Sequence, residues 1–155
     1  MKITLTINGD VRDFDIEPGK ILLDLLREAG YKSVKDGCRE GECGACNVII
    51  NGKTTNSCMV LAAQVDGADI ITVEGLGNAD NPHPIQEAFV EAGAVQCGFC
   101  TPGKILSTYS LLKKNPQPTD SEIKEALSGN LCRCTGYVKQ IDAVKKAAKK
   151  MKDSK

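Results

Sequence analysis

The sequence has no tryptophan and few other aromatic residues, three Tyr and three Phe in 155 residues. Proteins that bind single-stranded nucleic acids stack the bases on aromatic rings, so this scarcity argues against such a partner. A net charge is also lacking, because 20 Lys and Arg balance 20 Asp and Glu. Without a basic surface, binding to duplex nucleic acid or to an anionic membrane is not expected.

Long apolar runs are absent as well. The opening residues, MKITLTINGD, alternate apolar and polar side chains and do not resemble a signal peptide or a spanning helix. We therefore expect no membrane insertion and a cytoplasmic location. The chain has one histidine, His83, between two prolines, where a surface position is expected. A Rieske centre, which needs two histidines, is excluded.

Cysteine, in contrast, is abundant, with eight residues in the chain. Eight cysteines could form four disulfides in a secreted scaffold. The absence of an export signal opposes that interpretation, and so does the spacing C-x-C and C-x-x-C, which seldom allows disulfide geometry within a pair. In a reducing compartment, clustered thiols more often bind a metal.

A stretch rich in Gly, Asn and Pro at residues 76–84, LGNADNPHP, divides the chain into two predicted domains, 1–76 and 77–155. In the first, ITLTING and VRDFDI flank an Asn-Gly turn, and LLDLLREAG reads as a short helix. CNVIINGKTT, with its own Asn-Gly turn, and ADIITVEGL read as further strands. This order predicts a small α+β domain with a helix packed across a sheet.

The second domain is predicted to be helical. Apolar residues recur there at intervals of three and four, and Thr119 with Glu122 forms a capping-box pattern ahead of IKEAL. The pattern predicts four helices.

The first four cysteines follow the spacing C-x4-C-x2-C with a fourth farther along, which is the plant-type [2Fe–2S] spacing. They are Cys38, Cys43, Cys46 and Cys58. A four-thiolate cluster is anionic and needs backbone N–H groups aimed at sulfur. The glycines at positions 37, 41 and 44 allow the loop to wrap that closely. A zinc site does not need such a loop and typically uses two close pairs that are far apart in the sequence.

The last four cysteines form two close pairs in similar settings, QCGFCTPG and LCRCTGY. They are Cys97, Cys100, Cys132 and Cys134. Thr101 and Pro102 resemble an N-cap followed by the first helical residue, and Thr135-Gly136 also precedes a helical pattern. We therefore expect each pair at a helix N-terminus, where free N–H groups favour negative charge. Taken alone, this set is also compatible with an all-cysteine zinc site.

Nearly the whole chain resembles the small iron–sulfur subunit of the molybdenum hydroxylases, a family that includes xanthine, nicotinate, aldehyde and carbon monoxide dehydrogenases. The resemblance rests on three motifs in order: GCREGECGAC with the later Cys58, AVQCGFCTPG, and GNLCRCTGY. It implies an N-terminal ferredoxin-like β-grasp domain followed by a four-helix bundle. It also implies an electron-transfer subunit with two [2Fe–2S] clusters and no substrate site of its own.

The resemblance further implies an electron path through a heteromeric complex. A large subunit oxidises the substrate at a molybdopterin centre, and electrons pass to the cluster on the last four cysteines, then to the cluster on the first four. They continue to FAD in a medium subunit or to another acceptor. Gln96 and Cys134 are expected to lie against the pterin. Candidate substrates are purines, N-heterocyclic acids such as nicotinate, aldehydes, carbon monoxide and aromatic acyl-CoA thioesters.

Three residues depart from the family pattern. Lys104 follows TPG where family members commonly have a residue such as Met, and Arg39 and Glu42 occupy positions where small residues are frequent. An alternative function is a free-standing two-cluster ferredoxin, and a zinc-binding interaction module is a third. A subunit is expected to expose an apolar surface around Cys134 and Gln96, whereas a shuttle ferredoxin should not expose one.

Overall fold

A computed structural model describes residues 1–153 of the chain. Ser154 and Lys155, the last two residues of the predicted second domain, lie outside the described residues. The elements are ordered as five strands with one helix, followed by four helices. The helices and strands are β1 Lys2–Ile7, β2 Asp10–Asp15, α1 Leu22–Glu28, β3 Asn47–Ile50, β4 Lys53–Asn56, β5 Asp69–Ile71, α2 Pro84–Glu91, α3 Thr101–Lys114, α4 Asp120–Leu127 and α5 Val138–Asp153.

The five strands form one sheet in the order β2-β1-β5-β3-β4. β1 pairs with β5 in parallel, and the other neighbours are antiparallel. Both predicted Asn-Gly turns are present, with left-handed backbones at Asn8 and Asn51 (φ 54° and 47°) and at the glycines that follow. The second turn is followed by β4, a strand that the sequence did not separate from β3.

The core of this domain lies between the sheet and α1. Alternate residues of β1, Ile3, Leu5 and Ile7, are buried against Leu22 and Leu26 of the helix. Residues two apart in a strand, and residues four apart in a helix, lie on the same face, so these side chains all point into the core. The predicted α+β class and the ferredoxin-like β-grasp domain are confirmed.

The four predicted helices of the second part are confirmed, with their own core. Phe89 of α2 packs there with Ile123 of α4 and Val144 of α5. Thr119 caps α4 as predicted: its hydroxyl accepts from the Glu122 N–H, and the Glu122 carboxylate accepts from the Thr119 N–H at 2.7 Å.

His83 does not lie simply on the surface. It is half-buried and caps α2, because its Nδ1 accepts a hydrogen bond from the N–H of Ile85 at 3.2 Å. Its ring meets that of Tyr109 edge-on at 5.7 Å. In the described part of the chain, no helix is long and apolar enough to cross a membrane.

Candidate metal centres

The first cysteine set lies on the loop between α1 and β3 and on the short 3₁₀ turn Ser57–Met59 that follows β4. Cys46 and Cys58 are buried, whereas Cys38 and Cys43 are half-buried. Glycine is required at position 37, since a Cβ there would come within 2.7 Å of the Cys43 sulfur. The four thiols therefore extend from the solvent side of the domain to its core.

Backbone N–H groups point at the sulfur of Cys38, as an anionic cluster requires. The N–H groups of Glu40 and Cys43 each donate to it at 3.4 Å. These bonds lower the pKa of Cys38 to about 7. The loop reaches this geometry with left-handed backbones at Arg39 and Gly41 (φ 55° and 78°). The loop thus stabilises a thiolate with backbone dipoles.

The second cysteine set lies on the loop before α3 and on the loop before α5. Cys97 and Cys134 are exposed and Cys100 and Cys132 are half-buried. One expectation here is corrected: α3 begins at Thr101 with Cys100 as its N-cap, so Pro102 is the second helical residue and not the first. The N–H of Thr101 donates a hydrogen bond to Gly98 O at 3.3 Å, so the first turn starts one residue earlier than predicted.

The prediction that each cysteine pair lies at a helix N-terminus is correct for the pair before α3 and wrong for the pair before α5. Gly136 and Tyr137 have left-handed backbones (φ 65° and 72°) and separate Cys134 from the first residue of α5. The donors to Cys132 therefore come from the loop itself. Burial alone would raise the pKa of Cys132, but hydrogen bonds from Thr135 and from the Cys134 N–H outweigh it and lower that pKa to about 6.

In both sets the thiols meet as pairs. Cys134 and Cys97 have their sulfurs 3.6 Å apart, and the Cys100 thiol interacts with that of Cys132. In the first set, the side chain of Cys38 contacts that of Cys43, and Cys46 contacts Cys58. Burial, with the neighbouring thiol adding to it, raises the pKa of Cys46 and of Cys100 to about 11 each.

Pairing of this kind fits a [2Fe–2S] cluster, in which each of the two irons takes two protein ligands. A single tetrahedral zinc would instead need all four thiols around one point. The donor set, the N–H groups aimed at sulfur and the pairing therefore suit two [2Fe–2S] clusters better than zinc.

The two sets are joined by close backbone packing. The carbonyl of Gly44 lies so close to Gly103 that a Cβ on Gly103 would come within 2.2 Å of its oxygen. Buried side chains continue the contact: Asn130 donates to Gly44 O at 3.3 Å and accepts from the hydroxyl of Ser107 at 2.7 Å. Asn47 in turn donates to Ser107 at 3.2 Å. The helical domain is thus fixed against the first cysteine loop.

Two residues of this region were not recognised as structural parts of the site from the sequence. Lys104 is fully buried beneath the loop that holds Cys132 and Cys134, with its Nζ 2.6 Å from Asn130 O. Tyr137 lies on that loop, and its hydroxyl accepts from the Cys132 N–H at 2.9 Å. Only the departure of Lys104 from the family pattern was a signal in the sequence.

The surface around the second set is apolar and exposed. Gln96, Cys97 and Cys134 are exposed. Large apolar side chains in the same segments are exposed by 37% to 67% of their area: Val95, Phe99, Leu131, Tyr137 and Val138. We call these five residues the apolar surface. Isolated exposed apolar residues are common, whereas several of them in neighbouring segments are typical of a surface that contacts another protein.

Comparison with known proteins gives matches along almost the whole chain. The family model "2Fe-2S iron-sulfur cluster binding domain" matches residues 5–73, and "[2Fe-2S] binding domain" matches residues 72–145. Over 149 residues the chain is 56% identical to the nicotinate dehydrogenase small FeS subunit of Eubacterium barkeri, with 96% of this chain and 95% of that one covered. It is 46% identical over 144 residues to the xanthine dehydrogenase iron–sulfur-binding subunit of Escherichia coli O157:H7, with 92% and 91% covered.

Solved structures are similar as well. Quinoline 2-oxidoreductase from Pseudomonas putida 86 superposes with a TM-score of 0.94 at 44% identity, over 99% of this chain and 96% of that one. The aldehyde oxidoreductase from Desulfovibrio gigas gives a TM-score of 0.95 at 40% identity, over all of this chain and 18% of that one.

Proposed function

The chain belongs to the small [2Fe–2S] iron–sulfur subunits of the molybdenum hydroxylases, and we propose that its eight cysteines hold two clusters and carry electrons between two partners. It is an electron-transfer subunit of an oxidoreductase complex.

The proposed ligands are the two cysteine sets, each as two thiol pairs. Cys38 with Cys43, and Cys46 with Cys58, hold the first cluster. Cys97 with Cys134, and Cys100 with Cys132, hold the second. When bound, each cluster takes up and releases one electron, and the surrounding N–H groups and burial set its potential. The two sets differ in burial and in donors, so two distinguishable potentials are expected.

Electrons enter at the second set and leave at the first. The observation that carries this direction is the exposure of Cys97 and Cys134 within the apolar surface, which suits a permanent contact with a large molybdopterin subunit. Gln96 lies exposed beside Cys97 and is proposed to contact the pterin together with Cys134. A shuttle ferredoxin, which must dissociate between partners, would not expose this surface.

The first set is proposed to face the next acceptor, an FAD-binding medium subunit. Its loop is polar where it is exposed, with Glu40 and Glu42 beside Cys38 and Cys43, as suits a wetter contact. The proposed location is the cytoplasm, where eight unpaired thiols remain available for iron. As substrate we propose an N-heterocyclic acid, since identity is higher to the nicotinate dehydrogenase subunit (56%) than to the xanthine dehydrogenase one (46%).

An anaerobic pull-down of the tagged chain from its native host tests these proposals, with molybdenum, iron and flavin analysis of the captured complex. A large partner with molybdenum is the expected result, together with a flavin subunit. The purified complex is then assayed with nicotinate, xanthine and an aldehyde, and nicotinate is expected to reduce it fastest. Iron without any partner would favour the shuttle ferredoxin.

Single variants test the contact surface. Val138→Lys introduces a charge at a side chain that is 67% exposed and should abolish capture of the large subunit without changing iron content. Val11→Lys on β2, where the side chain is 70% exposed and far from both cysteine sets in the fold, is the matched control and should capture it normally. Equal capture by both variants would place the contact elsewhere.

A further inference from the structure

Lys104 is a buried cation without a carboxylate partner. Its side chain has no exposed area, although lysine is among the residues that are least often fully buried. None of the ion pairs formed among residues 1–153 includes it. A buried charge is costly unless something compensates it. Groups close to Nζ must therefore compensate its positive charge.

Two groups from the second cysteine loop contact the ammonium. The carbonyl of Asn130 accepts from Nζ at 2.6 Å, and the ring of Tyr137 lies 4.8 Å from it, with Nζ over the face. Tyr137 is also the residue whose hydroxyl accepts from the Cys132 N–H. Both groups are neutral: the dipole of the carbonyl and the quadrupole of the ring favour a cation, but neither supplies a negative charge.

The proposed cluster ligands supply that charge. Cys100 and Lys104 are four residues apart at the start of α3, so they lie on one face of the helix, and side chains on a helix tilt towards its N-terminus. Lys104 therefore reaches back towards Cys100 and under the loop of Cys132. Burial lowers the pKa of Lys104 below its ordinary value, and negative charge on Cys100 and on Cys132 offsets part of that lowering.

We propose that the ammonium of Lys104 is the countercharge of the second cluster and raises its reduction potential above that of the same site with a neutral side chain. The inference rests on the proposed ligand assignment. Reduction adds one electron to an already anionic cluster, so a fixed cation beside the ligands stabilises the reduced form more than the oxidised form. A smaller effect is expected on the first cluster, because the carbonyl and the ring that contact Nζ both belong to the second cysteine loop.

This role would make the second cluster a better acceptor for electrons from the large subunit. Lys104 is a positioning and tuning residue, since it acts through the protein around the cysteines and not as a ligand. Its burial beneath the loop keeps water from screening the charge.

The test uses the purified iron-loaded complex and an EPR-monitored redox titration of each cluster. Lys104→Met removes the charge and leaves an unbranched apolar side chain that is one atom shorter. At a fixed potential near the midpoint, we expect at least a tenfold fall in the ratio of reduced to oxidised second cluster, equivalent to 59 mV for one electron. Lys104→Arg retains the charge and should keep the parent ratio within threefold.

Lys113→Met is the matched control. Lys113 also lies on α3 with its Nζ over a tyrosine ring, 5.3 Å from the centroid of Tyr109, but it is exposed and lies at the far end of the helix. Its removal should shift neither cluster. If Lys104→Met does not assemble, Lys104→Gln replaces it, because the amide can still donate to Asn130 O.

Each outcome decides the inference. A shift of the second cluster alone in Lys104→Met, absent in Lys104→Arg and Lys113→Met, supports it. An unchanged ratio, an equal shift of both clusters, or the same shift in Lys104→Arg overturns it. A parent complex without two [2Fe–2S] signals overturns the ligand assignment as well, and that failure is distinguishable because it appears in the parent.

Discussion

The backbone N–H of Leu131 donates a 2.9 Å hydrogen bond to the carbonyl oxygen of Cys43. Cys43 belongs to the first cysteine set, and Leu131 directly precedes Cys132 of the second. The two proposed clusters are thus separated by one hydrogen bond and a few covalent bonds. A rigid contact of this kind keeps the distance between the clusters fixed, which electron transfer within one subunit requires.

Gly103→Ala should loosen that contact. The added Cβ would come within 2.2 Å of Gly44 O, and backbone atoms yield less readily than a flexible side chain. We expect a loss of about 1–3 kcal/mol in the free energy of unfolding, as for overpacked cores. Denaturant unfolding measures it. Gly129→Ala, where nothing lies within 4 Å of the added carbon, is the control and should stay close to the parent. Equal stability of the two variants would contradict the packing described here.

Cys43→Ser and Cys97→Ser should each remove one cluster and leave the other. Each domain has a small core, so metal–thiolate bonds contribute to its folding free energy. We expect the iron content to fall by half in each variant, with a lower thermal midpoint for the domain affected. Iron analysis and calorimetry check this, and each variant serves as the control for the other. Melts that match the parent would show that the clusters contribute nothing to stability.

Tyr137→Phe should weaken only the second site. The variant leaves the Cys132 N–H without its acceptor, a loss of about 1 kcal/mol for a typical hydrogen bond. We expect the EPR signal of the second cluster to change and that of the first cluster to stay as in the parent. Tyr109→Phe, on α3, is the comparison because the His83 contact needs only the ring. A perturbed first-cluster signal in Tyr137→Phe would indicate a wider rearrangement.

Glu74 should make stability dependent on pH in the acid range. Burial alone would raise its pKa, but hydrogen bonds from Ser33 and Thr72 outweigh it and hold the pKa below its ordinary value of 4.5. The folded state therefore binds its proton less tightly than the unfolded state, so this contribution is complete above 4.5 and is lost as the pH falls through the lowered pKa.

We expect the stability difference between the parent and Glu74→Gln to be constant near neutral pH and to shrink below 4.5. Denaturant unfolding of both proteins across that range measures it. Glu17→Gln, at an exposed position before α1, is the control. A difference that stays constant down to acid pH would show that Glu74 is not stabilised as a carboxylate.

Local features of the fold could be predicted from the sequence. The Asn-Gly turns need left-handed backbone that these residues adopt, and the Thr119–Glu122 cap involves residues three apart. The close groups of cysteines could also be recognised, because each follows a short spacing within a single loop: Cys38, Cys43 and Cys46; Cys97 and Cys100; Cys132 and Cys134. In each case the interaction is confined to a short segment, so the sequence pattern is sufficient.

Contacts between distant segments could not be predicted. The parallel pairing of β1 with β5 joins the strands of the sheet that come first and last along the chain. The burial of Lys104 depends on the loop from Asn130 to Tyr137, and the packing of Gly44 against Gly103 depends on how the helical domain meets the first cysteine loop. Lys104 on its own reads as a surface residue of a helix. Only the loop from Asn130 to Tyr137, folded over it, makes it part of the site.

The central claim is that the chain carries two [2Fe–2S] clusters, one on each cysteine set. Spin quantitation by EPR of the anaerobically purified, dithionite-reduced complex, combined with iron analysis, tests it most directly. Our account predicts two distinct signals of one spin each and four irons per chain. A single signal with two irons, or zinc in place of iron at Cys97, Cys100, Cys132 and Cys134, would contradict it.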